Sequence, residues 1–158
     1  MYLDFMEYRN GFVFNWKNMG VFIFLALLPN FLGMINLPTI YGFKIHFFQI
    51  GVFIAALMYG SKGGFVAGAI GSVFSTIIMN NPVILIGNTI LGFTLGKAFE
   101  LTKKPFLSLG IAFTAQLLFL IPADILWIGL SMAFVIKLII ALAASNIIWM
   151  FLAVKFVK

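Results

Sequence analysis

The chain has 158 residues, of which 63% are hydrophobic and only 9% are charged, and its mean hydropathy is +1.15. Soluble domains carry charge on about a quarter of their residues, so this composition excludes a soluble domain and predicts an integral membrane protein. With a net charge of +6, no cysteine and one histidine, it also excludes disulfides, thiolate catalysis and sulfur-ligated metal sites.

Residues 1–18 precede the first long apolar run. They mix aromatic with charged side chains, Tyr2 beside Asp4 for example, and this mixture is typical of a segment lying at the membrane interface. No cationic stretch precedes an apolar core, so we do not expect a cleavable signal peptide. We predict one membrane domain over residues 1–158, made of this interfacial segment and a helical bundle over 19–158.

Breaks at glycine, proline, asparagine and charged residues divide the bundle into six apolar segments. A membrane-spanning helix needs ~20 mostly apolar residues, and short connections make successive helices antiparallel neighbours. The sequence therefore predicts an all-α integral membrane protein, a compact bundle of six transmembrane helices. The spans are placed near 19–35, 45–60, 63–79, 83–100, 106–122 and 131–154.

The basic residues set the orientation of this bundle. Six spans put both termini on one side, and eight of the ten basic residues fall on that side; Lys44 lies on the other, and Lys137 is inside span six. Because basic residues are enriched on the cytoplasmic side, we predict a multi-pass protein of the cell membrane with cytoplasmic N- and C-termini. Basic residues scattered over helix ends do not indicate nucleic-acid binding. The eight are Arg9, Lys17, Lys62, Lys97, Lys103, Lys104, Lys155 and Lys158.

Polar side chains gather at the predicted outer end. The stretch MNNPVILIGN places Asn80 and Asn81 at the outer mouth and Asn88 about two turns into span four. The first two also suit a solvated turn, whereas a buried amide in a bilayer needs a hydrogen-bond partner. The connections after spans one and five add further polar groups at this end. The predicted ligand-binding residues are Asn36, Tyr41, Lys44, His46, Gln49, Asn80, Asn81, Asn88, Gln116, Asp124, Trp127 and Lys137.

Lys137 lies ~9 Å from the outer end of span six. A charge inside the membrane costs ~3 kcal/mol or more and usually faces a cavity or a partner. We favour a ligand-binding role, because Asn88, Gln116 and His46 are predicted at the same depth. In the alternative interpretation, its long side chain extends to the lipid headgroups.

The opposite half of the bundle has few polar residues. Asn30 and Asn146 are the exceptions, and hydrogen bonds between helices account for both. This asymmetry predicts a polar cavity that is open to the outside and closed by packing below.

The stretch YGSKGGFVAGAIGSVFS, which runs from the end of span two through most of span three, carries small residues at four-residue intervals, among them Gly60, Gly64, Gly68 and Ser72. Small residues at this spacing let helix backbones approach closely in lipid. We favour packing inside the bundle, with a docking surface for a partner protein as the alternative.

The chain offers little for catalysis. It has four carboxylates, and no two of them are expected to share a site within the membrane as an acid–base pair. It has no phosphate-binding loop and no mid-membrane carboxylate of the kind that proton-coupled transport uses. We expect no enzymatic activity, no cofactor and no metal site.

Three segments of the sequence show a pattern that is typical of one family of membrane proteins. They read HFFQIGVFIAALMYGSKGGFVAGAIGSVFS, NPVILIGNTILGFTLG and AFVIKLIIALAASNIIWMF. In the first, an apolar helix ends in a Tyr-Gly turn and a glycine-rich helix follows. With the six predicted spans, over roughly residues 19–156, they resemble the substrate-binding S-components of energy-coupling factor transporters, the vitamin-uptake systems of bacteria and archaea.

This resemblance implies a binding subunit that captures a vitamin-like small molecule from outside. The ligand is expected between the connections after spans one and three and the outer halves of spans four to six. In the family, a separate transmembrane coupling protein and a pair of ATPases drive uptake, and the S-component reorients in the membrane. Residues expected at the coupling-protein interface are Ala26, Asn30, Gly64 and Gly68.

The chain departs from the family at two places. Alanines four residues apart are common in span one of the family, whereas Ala26 is followed here by Asn30. Cobalt- and nickel-binding members begin with Met-His, but Tyr2 follows Met1 here, so metal uptake is not expected.

Two other interpretations stay open. In one, the protein is a stand-alone channel or facilitator for small solutes, and the same polar residues line a path. In the other, it is a structural or assembly protein without a ligand. Genes for ABC-type ATPases and a coupling protein beside this gene would favour the binding subunit.

Overall fold

The computed structural model describes residues 16–38 and 44–157. In chain order these residues form α1 (Trp16–Gly33), β1 (Asn36–Pro38), β2 (Lys44–His46), α2 (Phe48–Gly71), α3 (Val73–Met79), α4 (Pro82–Thr102), α5 (Pro105–Leu126) and α6 (Met132–Val157). Residues 1–15, most of the predicted interfacial segment, lie outside the described part, and α1 begins within the predicted segment, at Trp16.

The helices are apolar enough for a bilayer. Four helical segments have the length and composition to cross a membrane, and α1 adds a shorter apolar helix over Met19–Gly33. Large apolar side chains face outward, with Leu118 75% and Ile77 70% exposed, as expected where lipid replaces water. The prediction of an all-α membrane protein is confirmed at this level, the strands being confined to one short hairpin. The four segments are Phe48–Met79, Pro82–Thr102, Pro105–Leu126 and Met132–Val157.

α2 folds back on itself at Gly60. This residue has φ 64° and ψ −152°, a conformation that favours glycine. A Cβ on Gly63 would lie 2.5 Å from the carbonyl oxygen of Ala55, although residues eight apart in a straight helix are ~12 Å apart. α2 therefore consists of two antiparallel arms, 48–59 and 61–71. The fold-back lies where the sequence predicts a break between the second and third spans.

The second arm of α2 packs against α4 through backbone contacts. A Cβ on Gly64 would overlap the carbonyl oxygen of Gly92, and a Cβ on Gly68 would overlap that of Asn88. The four-residue spacing thus lets two antiparallel helices touch along their length. These contacts agree with the internal-packing interpretation of the glycines.

The two ends of the bundle are defined by the turns around α4. Asn81 caps the start of α4 by accepting a hydrogen bond from the N–H of Val83 at 2.9 Å, a typical role for asparagine at a helix N-terminus. α4 ends at Lys103, which has a positive φ of 57°, and α5 runs back antiparallel, so that Gly87 lies against Leu120. We refer to these ends as the Asn81 end and the Lys103 end.

The connection between α1 and α2 reaches into the bundle. Its strands pair Asn36 with His46, and β2 lies against α6. Gln49, in the first turn of α2, hydrogen-bonds Ser145, which lies ~20 Å along α6 from Met132. The expectation that Gln49 is near the outer surface is therefore corrected. The first arm of α2 begins halfway along α6, because the hairpin leads the chain inward before the helix starts.

Candidate functional site

One group of buried polar side chains joins three elements of the bundle. The Asn88 side-chain N–H donates to Ser72 Oγ at 2.9 Å, and Asn88 Oδ1 accepts from Gln116 Nε2 at 3.4 Å. Ser72 lies between α2 and α3, and all three residues are buried. We call these residues the amide cluster. The structure thus brings together two predicted residues, Asn88 and Gln116, and adds Ser72, which the sequence did not single out as a binding residue.

The side chain of Asn30 hydrogen-bonds the backbone beside the amide cluster. Its side-chain N–H donates to the carbonyl oxygen of Ile70 at 2.8 Å, and its Oδ1 accepts from the N–H of Phe74 at 2.9 Å. These backbone groups flank the junction between α2 and α3, at Ser72. The interpretation of Asn30 as a residue that makes interhelical hydrogen bonds is confirmed.

A second set of polar side chains lies on one turn of α6. Ser145 Oγ donates to Gln49 Oε1 at 2.8 Å, and the ring of Trp149 is 4.7 Å from that of Phe47. Asn146 is 1% exposed, yet neither atom of its amide has a hydrogen-bond partner, and Trp149 Nε1 has none either. We call Ser145, Asn146 and Trp149 the polar turn. The expectation that Asn146 hydrogen-bonds another helix is wrong for this structure.

Asp124 is the one buried carboxylate among the described residues, with 4% exposure. It lies near the C-terminus of α5, one turn beyond Leu120, which contacts Gly87 of α4. Asp124 is therefore at the level of the first turn of α4, at the Asn81 end. Among the residues whose side chains the structure describes, 19–35 and 47–157, no group donates a hydrogen bond to its carboxylate or forms an ion pair with it.

Several other predicted ligand-binding residues do not belong to the amide cluster or the polar turn. Asn80 is exposed and ends α3 in the left-handed conformation, with φ 47°, while Asn81 caps α4, so both fit the turn interpretation. Trp127 is 69% exposed beside the ring of Phe119. Lys137 is exposed on α6, which favours a position at the lipid headgroups over a place in the pocket.

The hairpin carries three predicted residues. Asn36 lies on β1, and Lys44 and His46 lie on β2. Tyr41 falls outside the described residues. The backbone places His46 two residues before α2, on the segment that leads toward the polar turn.

The four residues predicted to dock a coupling protein all make contacts within the chain. Gly64 and Gly68 are covered by α4, Ala26 is 5% exposed, and Asn30 bonds the α2–α3 junction. Their role in docking stays a prediction, which would require these surfaces to become accessible.

The predicted open polar cavity is not found at the amide cluster, because Asn88 and Gln116 are 5% and 1% exposed. The amide cluster is therefore closed in this structure, and two grooves of the described surface are apolar and lie elsewhere. One, of about 500 Å³, is lined by Phe106, Leu107, Gly110, Ile111 and Thr114. Another, of about 210 Å³, is lined by Phe65, Thr89, Ile90 and Phe93.

The buried polar side chains of these groups are hydrogen-bond donors and acceptors. They comprise amides, hydroxyls, one indole N–H and one carboxylate, and in the described part of the chain no three His, Cys, Asp or Glu residues are grouped so that they could hold a metal ion. Such donors and acceptors recognise polar groups of a small molecule. Neither a family model, nor a curated protein, nor a solved structure matches the chain.

Proposed function

We propose that this chain is the membrane-embedded substrate-binding subunit of an importer of the energy-coupling factor type. It captures a small organic nutrient, a vitamin or related precursor, from outside. A transmembrane coupling protein and a pair of ATPases then complete uptake. The sequence resemblance suggests this class of importer, and the buried polar interior supports a binding function.

The observation that carries the proposal is the set of buried polar atoms without partners. Gln116 Oε1, both amide atoms of Asn146 and Trp149 Nε1 belong to this set. An unpaired polar group in an apolar environment costs about 1–3 kcal/mol, and the bilayer offers no water to relieve it. A bundle that retains several such groups gains free energy when a polar ligand pairs with them.

We also propose six membrane segments with both termini in the cytoplasm. The segments are α1, the first arm of α2, the second arm continued by α3, and then α4, α5 and α6. Supporting this arrangement, the N–H of Ser61 donates to Glu100 at 2.7 Å, which places the neighbouring Lys62 at the same end as Lys103 and Lys104. Basic residues from two predicted cytoplasmic connections therefore share one end, and the Asn81 end faces outward.

A search for a retained ligand tests the binding function. The protein is purified in mild detergent, and bound molecules are released with organic solvent and identified by mass spectrometry. We expect a small polar molecule in the parent protein and much less of it in Asn146→Leu, which keeps the side-chain volume but removes the amide. Thr114→Val, which alters an exposed hydroxyl bonded only within its own helix, is the matched control.

Co-purification tests the transport partners. A coupling protein and two ATPases should be recovered with the tagged chain from its native membrane. Solute flux through the chain alone in vesicles, without ATP, would instead establish the channel alternative.

A further inference from the structure

We infer that the ligand of this subunit carries a cationic group, such as an amine, and that Asp124 is its counter-charge. This inference rests on the proposed binding function and specifies its substrate class. The observation behind it is the position of the Asp124 carboxylate, whose negative charge no described side chain neutralises.

Asp124 occupies an unfavourable position for a negative charge within its own helix. The C-terminus of α5 is two residues away, at Leu126, and carries the negative end of the helix dipole, which repels an anion. Burial adds to the cost, because only 4% of the residue is exposed and a buried charge needs a partner.

The missing partner must supply positive charge or hydrogen-bond donors. Among residues 19–35 and 47–157, whose side chains the structure describes, none donates to the Asp124 carboxylate, and on the same helix Gln116 Oε1 is a second buried acceptor without a donor. The start of α4, with the positive end of a helix dipole, lies at the level of Asp124. The Asp124 carboxylate fits an ammonium or amidinium group of a ligand, and Gln116, eight residues or ~12 Å away along α5, offers an acceptor to a second donor of the same molecule.

Lys137 does not neutralise Asp124 in this structure, and the side chain of Lys44 lies outside the described part. Lys137 is exposed on α6, and Lys44 lies on β2, opposite Pro38. In this inference Asp124, rather than Lys137, selects the ligand by its charge.

The test compares the molecule retained by the purified full-length chain with that retained by three variants. Asp124→Asn removes the charge at nearly constant volume, Lys137→Met removes the exposed charge, and Lys44→Met removes a cation that could pair with Asp124 in place of a ligand. We expect the retained molecule to contain a cationic group. Asp124→Asn should retain it about 30-fold less well or worse, as for the loss of a charged partner, and Lys137→Met should retain it like the parent protein.

The possible results separate the inference from the proposed function. A neutral or anionic molecule, or undiminished retention by Asp124→Asn, overturns the inference while the binding function stands. Loss of the ligand from Lys44→Met together with unfolding at lower temperature indicates an internal ion pair and also overturns it. If the parent protein retains no molecule, the proposed function fails and the inference fails with it.

A measurement on the parent protein covers the case in which Asp124→Asn does not fold. Dicyclohexylcarbodiimide modifies carboxyl groups in apolar surroundings, and peptide mapping locates the adduct. Asp124 should be labelled in protein stripped of its ligand and protected in protein that retains it. Equal labelling of the two preparations overturns the inference.

Discussion

The backbones of Gly64 and Gly92 are in direct contact, so that a Cβ on either residue would overlap the carbonyl oxygen of the other. The overlapping atoms belong to the main chain, and no side-chain rotation relieves the overlap. The separation between the second arm of α2 and α4 is therefore set by the absence of side chains at these two positions.

Gly64→Ala should lower the free energy of unfolding by about 1–3 kcal/mol, because the added methyl group forces the helices apart. Thermal unfolding in detergent measures the loss. Gly110→Ala is the matched control, since a Cβ there meets no atom within 4 Å. It should leave stability unchanged or raise it slightly. Equal stability of the two variants would contradict the contact.

Gly60→Ala should also be destabilising, for a different reason. Its φ of 64° with ψ of −152° is a conformation that costs an L-residue about 1–3 kcal/mol, and a Cβ would overlap the Glu100 carboxylate. Gly20→Ala, on a helix face with no atom near the added methyl group, is the control. Chemical unfolding followed by tryptophan fluorescence measures both variants. If Gly60→Ala unfolds like its control, the chain does not fold back here.

Asn88→Ala should destabilise the bundle by about 1–3 kcal/mol, because it leaves Ser72 Oγ and Gln116 Nε2 without their partner. Thr114→Ala alters an exposed hydroxyl and should be nearly silent. Unfolding temperatures of ligand-stripped protein isolate this effect from binding. An unchanged temperature for Asn88→Ala would show that the amide cluster is not formed.

A reporter fused after Lys158 should be active only in the cytoplasm, because eight of the ten basic residues lie on that side of the predicted topology. Paired fusions of alkaline phosphatase and of a fluorescent protein report on which side of the membrane each fusion point lies. A fusion after Asn80 should report the opposite side. Phosphatase activity after Lys158 would reject the orientation, and with it the outward position of the Asn81 end.

The helix breaks could be predicted because each carries a residue with a specific backbone effect. Gly60 adopts a conformation that favours glycine, Pro82 follows a helix cap, and Pro105 begins α5. The hairpin of β1 and β2 was not predicted, because three-residue strands have too little periodicity to distinguish them from a loop. Because the hairpin was not predicted, the position of Gln49 about halfway along α6 was not predicted either.

For Asn88 and Gln116, the sequence predicted the position along the bundle axis, but it did not predict which helix face each candidate residue occupies. Asn88 and Gln116 were expected at one level, and they meet. Lys137 was placed near that level too, yet distance along a helix does not determine which face a residue occupies. Ser72 and Ser145 gave no signal, since a hydroxyl in an apolar helix commonly bonds its own backbone. Asn146 was noticed, but the lack of a partner for its amide is visible only in three dimensions.

The fold-back at Gly60 has a consequence for biogenesis. The first arm of α2 is ~18 Å long, too short to cross ~30 Å of hydrocarbon alone, so it must enter the bilayer together with the second arm as a helical hairpin. The N–H of Ser61 at its tip is capped by Glu100, which the ribosome adds much later. The tip of this hairpin thus acquires its cap only after α4 has been synthesised and has docked beside it.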